Sequence, residues 1–253
     1  MRIVFFGNNW TGWQVLVELK RRGVEVAGLV VHPPERRTYG EQIIAVAGLE
    51  PERIFDGSRL ADPAVHGAIA ELDAEMGVSV FFGYLIKPPL LEAFERGIVN
   101  LHPGLLPHNR GVYANVWSII QGTPAGVTLH YVDQGVDTGD IIAQREVTVR
   151  PSDTGHSLYR RLERACVELF ADTWPALAEG SAPRRPQDPA AGCSHCYADV
   201  AAVDRIDPDA TYSARELIDI LRARTFPPHK GAYIEVGGKR IYLRLELTEE
   251  SSE

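Results

Sequence analysis

The first 31 residues confine this chain to a narrow set of folds. RIVFF at 2–6 reads as a buried strand, Gly7 to Gly12 as a turn, and TGWQVLVELKRR at 11–22 as an amphipathic helix that Gly23 closes. VEVAGLVV at 24–31 follows at once as a second strand. Two strands joined through one helix lie parallel, with a right-handed crossover. Further strand candidates at 53–55, 78–82 (VSVFF) and 97–101 alternate with helix candidates near 39–46, 63–75, 88–94 and 112–121. The alternation predicts an α/β fold: a doubly wound, Rossmann-like, mostly parallel sheet, expected over 1–180.

After Gly122 two strand patterns, 126–132 and 140–149, follow each other with no helix between them, which predicts an edge hairpin around QGVDTG. A long helix is expected over 154–178, capped by Asp153 or Ser152, with Leu158, Leu162, Cys166, Leu169 and Phe170 on one face. Pro and Gly crowd 180–192, so a linker is placed at 181–195. Residues 196–253 are expected to form a small α+β appendage. It holds one helix, SARELIDILRART, and a hairpin of GAYIEV and KRIYLRLEL around Gly237-Gly238.

Composition removes several function classes. No apolar run approaches the ~20 residues a membrane-spanning helix needs, so no membrane partner is expected. MRIVFFGNNW runs directly into a strand with no cleavage site, which makes a cytoplasmic location the expectation. The net charge is −8 and Lys and Arg form no extended face, which argues against nucleic acid as a partner. A small anionic ligand needs only one or two local cations. Three cysteines make an odd count, read as reduced thiols. Cys193, His195 and Cys196 are the one metal-like cluster, but zinc wants four ligands and no second pair is apparent, so no metal is expected. Gly7-x4-Gly12 lacks both the P-loop Lys and the third glycine of a dinucleotide fingerprint; a tight turn is expected there, and no nicotinamide cofactor.

Chemistry concentrates in IVNLHPGLLPHNRG (98–111) and GVTLHYVDQGVDTGD (126–140). Asn100 and His102 stand two apart at a strand end, so their side chains leave one face before Pro103 stops the strand. An amide donor and an imidazole aimed at one point can hold a developing oxyanion while moving a proton. Asp137, in a Gly-flanked loop, can orient that imidazole and stabilise its charged form. On spacing alone, two satisfied polar residues at a strand end is an equal alternative.

This segment resembles the formyltransferases that use 10-formyltetrahydrofolate. Their pattern, N-x-H-P, a small residue, L-L-P and R-G, is met at Asn100, His102, Pro103, Gly104, Leu105, Leu106, Pro107, Arg110 and Gly111. A D-x-G-x-D-T-G-D loop follows at Asp133, Gly135, Asp137, Thr138, Gly139 and Asp140. The resemblance implies that Asn100, His102 and Asp137 are catalytic and that the donor is 10-formyltetrahydrofolate, without a metal. It also implies that Asp133, Gly135 and the backbone of Phe82, Gly83, Tyr84, Leu85 and Ile86 line a pterin pocket. Backbone N–H and C=O groups suit a heterocycle whose edge alternates donors and acceptors. Lys87, Arg110 and Tyr113 are candidates for the acceptor, the two cations through an anionic group. Thr138 and Asp140 read as turn formers, and His32, His108 and His130 as structural or surface histidines, with His130 on the strand leading to the Asp137 loop.

The tail RTFPPHKGAYIEVGGKRIYLRLEL is similar to that of formyltransferases acting on nucleotide-linked amino sugars. The resemblance therefore implies an N-formyltransferase whose acceptor is the amine of a small metabolite, a nucleotide sugar foremost, with homodimer formation compatible with the tail hairpin. Methionyl-tRNA formyltransferase, formyltetrahydrofolate hydrolase and a non-catalytic folate- or nucleotide-binding module are the alternatives. The tail and the acidity fit the first of these poorly, since the tRNA enzymes carry a longer, typically basic C-terminal barrel. Which sugar, and which amine, the sequence does not specify.

Overall fold

In the computed structural model, which describes residues 1–188 and 190–250, the opening reads as expected: β1 (Arg2–Gly7), α1 (Asn9–Arg21) and β2 (Glu25–Val31). There follow α2 (Gly40–Ala47), β3 (Ile54–Asp56), α3 (Pro63–Ala70), β4 (Met76–Val80) and β5 (Ile98–His102). Next come β6 (Arg110–Gly111), α4 (Ala114–Gln121), β7 (Gly126–Tyr131), β8 (Ile141–Glu146) and α5 (Gly155–Glu179). The last are β9 (Ser194–His195), α6 (Tyr197–Asp204), α7 (Ala214–Ala223), β10 (Tyr233–Val236) and β11 (Lys239–Tyr242).

The chain divides into two compact units. One comprises Met1–His102, Thr128–Gln144 and Glu163–Asp188; the other comprises Pro103–Val127, Arg145–Leu162 and the described part of Pro189–Glu253. The first is built on a seven-stranded sheet of order β3-β2-β1-β4-β5-β7-β8. β3, β2, β1, β4 and β5 are parallel, and β7 runs antiparallel to β5. Tyr131 N donates to Asp140 O (2.9 Å) and Val147 N to Ala125 O (2.9 Å), the pattern of the expected edge hairpin. Ile3, Val4, Phe5 and Phe6 are all wholly buried, as a strand covered on both faces requires. The chain winds outward from β1 in one direction and from β4 in the other. Beyond the carboxyl ends of such a pair is where open α/β sheets bind ligands.

In the second unit, α4 packs with α7, and Ile206, Ile220 and Ala232 form a small core joined by Ile120, Tyr212, Leu217 and Leu243. Arg222, nearly buried, donates to the carbonyls of Arg150 (3.2 Å) and Asp153 (2.9 Å). β9 adds parallel to β6, and His195 stacks on Trp117 at 4.0 Å between centroids. Cys193 donates to Asn109 Oδ1 (3.1 Å) and accepts from Asn109 N (3.3 Å), so the Cys193–Cys196 stretch is folded onto its own unit through side chains.

Four local expectations are corrected. β4 ends at Val80 because Phe81 turns into the left-handed region (φ 52°), which frees residues 81–89 as a loop. The helix expected at 88–94 is a 3-10 turn, Leu90–Ala93, because the chain is already extended at Phe94 (φ −114°, ψ 113°) and leaves no second turn to close. The cap of α5 is Thr154, whose Oγ1 accepts from Ser157 N (3.2 Å), rather than Asp153 or Ser152; Asp153 instead accepts from Arg150 N (2.7 Å) and pairs with Arg161. The tail holds a second helix, α6, which carries one buried residue, Val200, and so shows no apolar stripe. Among the described residues no helix is long and apolar enough to cross a membrane.

Candidate active site

Strand register assembles the polar centre of the first unit. Asn100, on β5, is paired with Ser79 of β4 on one side and His130 of β7 on the other. Ser79 Oγ donates to Asn100 Oδ1 at 2.9 Å, and Asn100 Nδ2 lies 3.1 Å from His130 Nε2. His130 Nδ1 is 2.8 Å from the Tyr131 carbonyl, which can only accept. The proton therefore belongs on Nδ1, and Nε2 accepts from the Asn100 amide. One carboxamide is thus oriented from both flanks.

His102 is the last residue of β5 and only 5% exposed. Its Nδ1 lies 3.4 Å from Asp137 Oδ2, while Asp137 Oδ1 lies 3.4 Å from both Asn100 Nδ2 and His130 Nε2. The structure brings Asn100, His102 and Asp137 together around one carboxylate. The His102 Nδ1–Asp137 Oδ2 separation is at the long end of hydrogen bonding and closes with a small side-chain rotation.

Asp137 holds a left-handed backbone conformation (φ 54°), uncommon for a residue with a side chain and typical of strained functional sites. The loop is braced to keep it. Asp133 Oδ1 accepts from Gly135 N (3.0 Å) and Thr138 Oγ1 (2.7 Å). A Cβ at Gly139 would collide with the Tyr131 carbonyl. Gln187 Nε2 donates to the carbonyls of Asp137 (2.9 Å) and Gly139 (2.8 Å), while Arg184 pairs with Asp140 (3.2 Å) and lies over the Tyr131 ring. Thr138 therefore braces the loop as well as turning it. Gln187→Ala is expected to lower kcat about tenfold with Tm nearly unchanged, because the loop loses a two-carbonyl clamp of about one hydrogen bond's net worth. A steady-state assay beside a melting curve reads both, and an unaltered kcat would show that the clamp is not needed.

The loop after β4 alternates. Phe82 is buried edge-on to Phe6 (5.6 Å), and Ile86 is buried too, whereas Gly83 and Lys87 are exposed and Leu85 is 61% exposed. Irregular backbone beside an uncovered leucine suits a flat heterocycle with a polar edge. Arg110 and Tyr113 belong to the second unit. Arg110 is buried, and its Nη1 donates to the Ala191 carbonyl (3.4 Å), so its guanidinium is already engaged within that unit. Tyr113 is 42% exposed at φ 59°, and burial of the remainder pushes its phenol pKa upward. Among the described residues no group of three or more His, Cys, Asp and Glu is placed to hold a metal ion.

Sequence reasoning found the three converging residues but not Ser79, His130 as a partner of Asn100, or Gln187. The signal for the first two was polar side chains in otherwise apolar strands, VSVFF and GVTLHYV.

The chain is similar to known proteins over nearly its whole length. Residues 1–173 match the family described as formyl transferase, and residues 199–249 match the N-formyltransferase dimerization C-terminal domain. The methionyl-tRNA formyltransferase of Geobacter sulfurreducens is 30% identical over 261 residues, covering 100% of this chain and 80% of that protein. A crystal structure of a 4-N formyltransferase from Francisella tularensis is 27% identical with a TM-score of 0.79, covering 98% of each chain. A formyltransferase from Anoxybacillus kamchatkensis, solved with UDP-4,6-dideoxy-4-formamido-L-AltNAc and tetrahydrofolate, is 28% identical with a TM-score of 0.58, covering 80% of this chain and 89% of that one.

Proposed function

We propose, for a chain that belongs to the formyl transferase family, that it formylates the amine of a small metabolite, a nucleotide-linked amino sugar, from 10-formyltetrahydrofolate. The observation that carries the chemistry is the convergence of Asn100, His102 and Asp137 at the carboxyl end of β5. The acceptor class is supported by near-complete mutual coverage with the 4-N formyltransferase and by the complex of a similar protein with a UDP-linked formamido sugar.

When bound, the donor supplies a formyl carbon on a nitrogen leaving group. Asn100 Nδ2 is assigned donation to the formyl oxygen as negative charge develops on it. His102, with Nδ1 toward Asp137, is assigned the proton transfer through Nε2: it takes the proton the attacking amine loses and delivers one to the departing nitrogen. Asp137 favours the imidazolium between those two events. The backbone of Phe82–Ile86 and the exposed face of Leu85 are proposed to hold the pterin, with Asp133 and Gly135 shaping the opposite wall. Lys87 and Tyr113 are proposed acceptor contacts, and buried Arg110 is proposed to support the segment that carries Tyr113. The tail hairpin, with Val236, Ile241 and Tyr242 exposed, is proposed as a contact between two copies. A cytoplasmic location belongs to the same reading.

A second reading, methionyl-tRNA as acceptor, is favoured by the 30% identity to the Geobacter sulfurreducens enzyme. The test supplies 10-formyltetrahydrofolate with a nucleoside-diphosphate amino sugar, with methionyl-tRNA, or with no amine. Tetrahydrofolate release is followed by absorbance and the formamide by mass spectrometry. Product with the amino sugar alone is expected. Product with the tRNA alone would transfer the assignment, and release without an amine would make the protein a hydrolase.

A further inference from the structure

His32 follows the last residue of β2 and is 9% exposed, and the chemistry above does not use it. Its ring is wedged between Phe82 (5.5 Å) and Tyr84 (4.9 Å), both edge-on, and its Nε2 faces Gly83 N at 3.3 Å. A backbone N–H can only donate, so Nε2 must present a lone pair. With the lone pair on Nε2 the ring proton is on Nδ1, so Asn8, just past β1, only packs its Nδ2 against that edge (3.3 Å) while its Oδ1 accepts from Thr38 N (2.8 Å), and the Arg36 backbone is the ring's other hydrogen-bond partner. β2, rigid and buried, therefore reaches the centre of an otherwise irregular loop through one imidazole.

We propose that His32 is a positioning residue for the Phe82–Ile86 loop, its neutral ring clamping the Gly83 amide so that the loop's outward backbone groups are preset for a flat heterocycle. The inference rests on the folate-site reading for its ligand, but the clamp itself does not. The titratable and charged groups facing the ring are Arg36 on the following turn, Asp56 at the end of β3, and Tyr84. Burial lowers the ring's pKa most; the Arg36 backbone and Asp56 oppose that, and the Arg36 charge adds to it. Since the folded pKa lies below the ordinary 6.5, the clamp is intact at and above neutrality and fails as pH falls through that lowered value. Protonation then sets two donors against each other.

The experiment uses the full chain with 5-formyltetrahydrofolate as the binding probe, from pH 5 to 8, together with hydrogen exchange of the 81–86 amides without the probe. His32→Ala is expected to weaken binding about tenfold at pH 7.5, the loss of one part-buried hydrogen bond to the Gly83 amide, and to speed exchange at Gly83. His32→Gln, whose carbonyl can accept the same N–H, is expected to restore both and to flatten the acid fall seen in the natural protein. Unchanged Gly83 exchange in His32→Ala, or the same acid fall in His32→Gln, overturns the clamp. Protected Gly83 exchange in a protein that binds no 5-formyltetrahydrofolate upholds the clamp and removes the folate reading instead.

Discussion

Asp137→Asn is expected to lower kcat by about 10²- to 10⁴-fold, the range for losing support of a general acid–base residue, with 5-formyltetrahydrofolate affinity within about threefold of the natural protein, because no proposed pterin contact is removed. The choice of asparagine matters. Position 137 has φ 54°, and asparagine visits that region more readily than most residues, whereas alanine would add backbone strain to any chemical loss. Asparagine also keeps the shape of the side chain while removing the charge that faces His102 Nδ1 at 3.4 Å. Steady-state kinetics with a folate titration separate the two effects. Turnover within tenfold of normal would remove Asp137 from the mechanism.

Asn100→Ala is expected to reduce kcat by about 10²- to 10³-fold, the usual effect of deleting one oxyanion donor, with little change in KM for either substrate. It also leaves Ser79 Oγ and His130 Nε2 without their shared partner. A fall in Tm is therefore expected, from about 1–3 kcal/mol per buried group left unsatisfied. His130→Ala tests how the imidazole contributes. If His130 acts through the Asn100 carboxamide, its removal slows the natural protein about tenfold, as for one orienting hydrogen bond, and adds almost nothing in the Asn100→Ala background. Additive losses would assign His130 its own contact with the reacting atoms.

Much of this was legible in the linear sequence, for identifiable reasons. RIVFF and VEVAGLVV are buried on both sides, so their apolar runs carry no competing signal, and the helix between them has a clean stripe. Asn100 and His102 were readable because the two-residue period of a strand is local. Ser79 and His130 were not, since their meeting at Asn100 depends on the register of three strands, which no short window contains. Gln187 reaches the Asp137 loop from 50 residues away, out of a Pro-rich segment whose composition indicates only the absence of regular structure. The true end of β4 was hidden for a different reason: Phe81 and Phe82 have high strand propensity, and tertiary packing of Phe82 against Phe6 overrides it.

The row Ser79–Asn100–His130 runs across three adjacent strands of a sheet whose hydrogen bonds fix it. Its aim is set chiefly by the scaffold, with the braced Asp137 loop as the one segment outside the strands that completes it. Other surface segments can lengthen, shorten or change composition to admit a differently shaped amine while the transfer geometry stays put. A scaffold of this kind separates what is done from what it is done to, so exchanging segments other than the Asp137 loop and the Phe82–Ile86 loop, with the strands left untouched, is the rational way to redirect it.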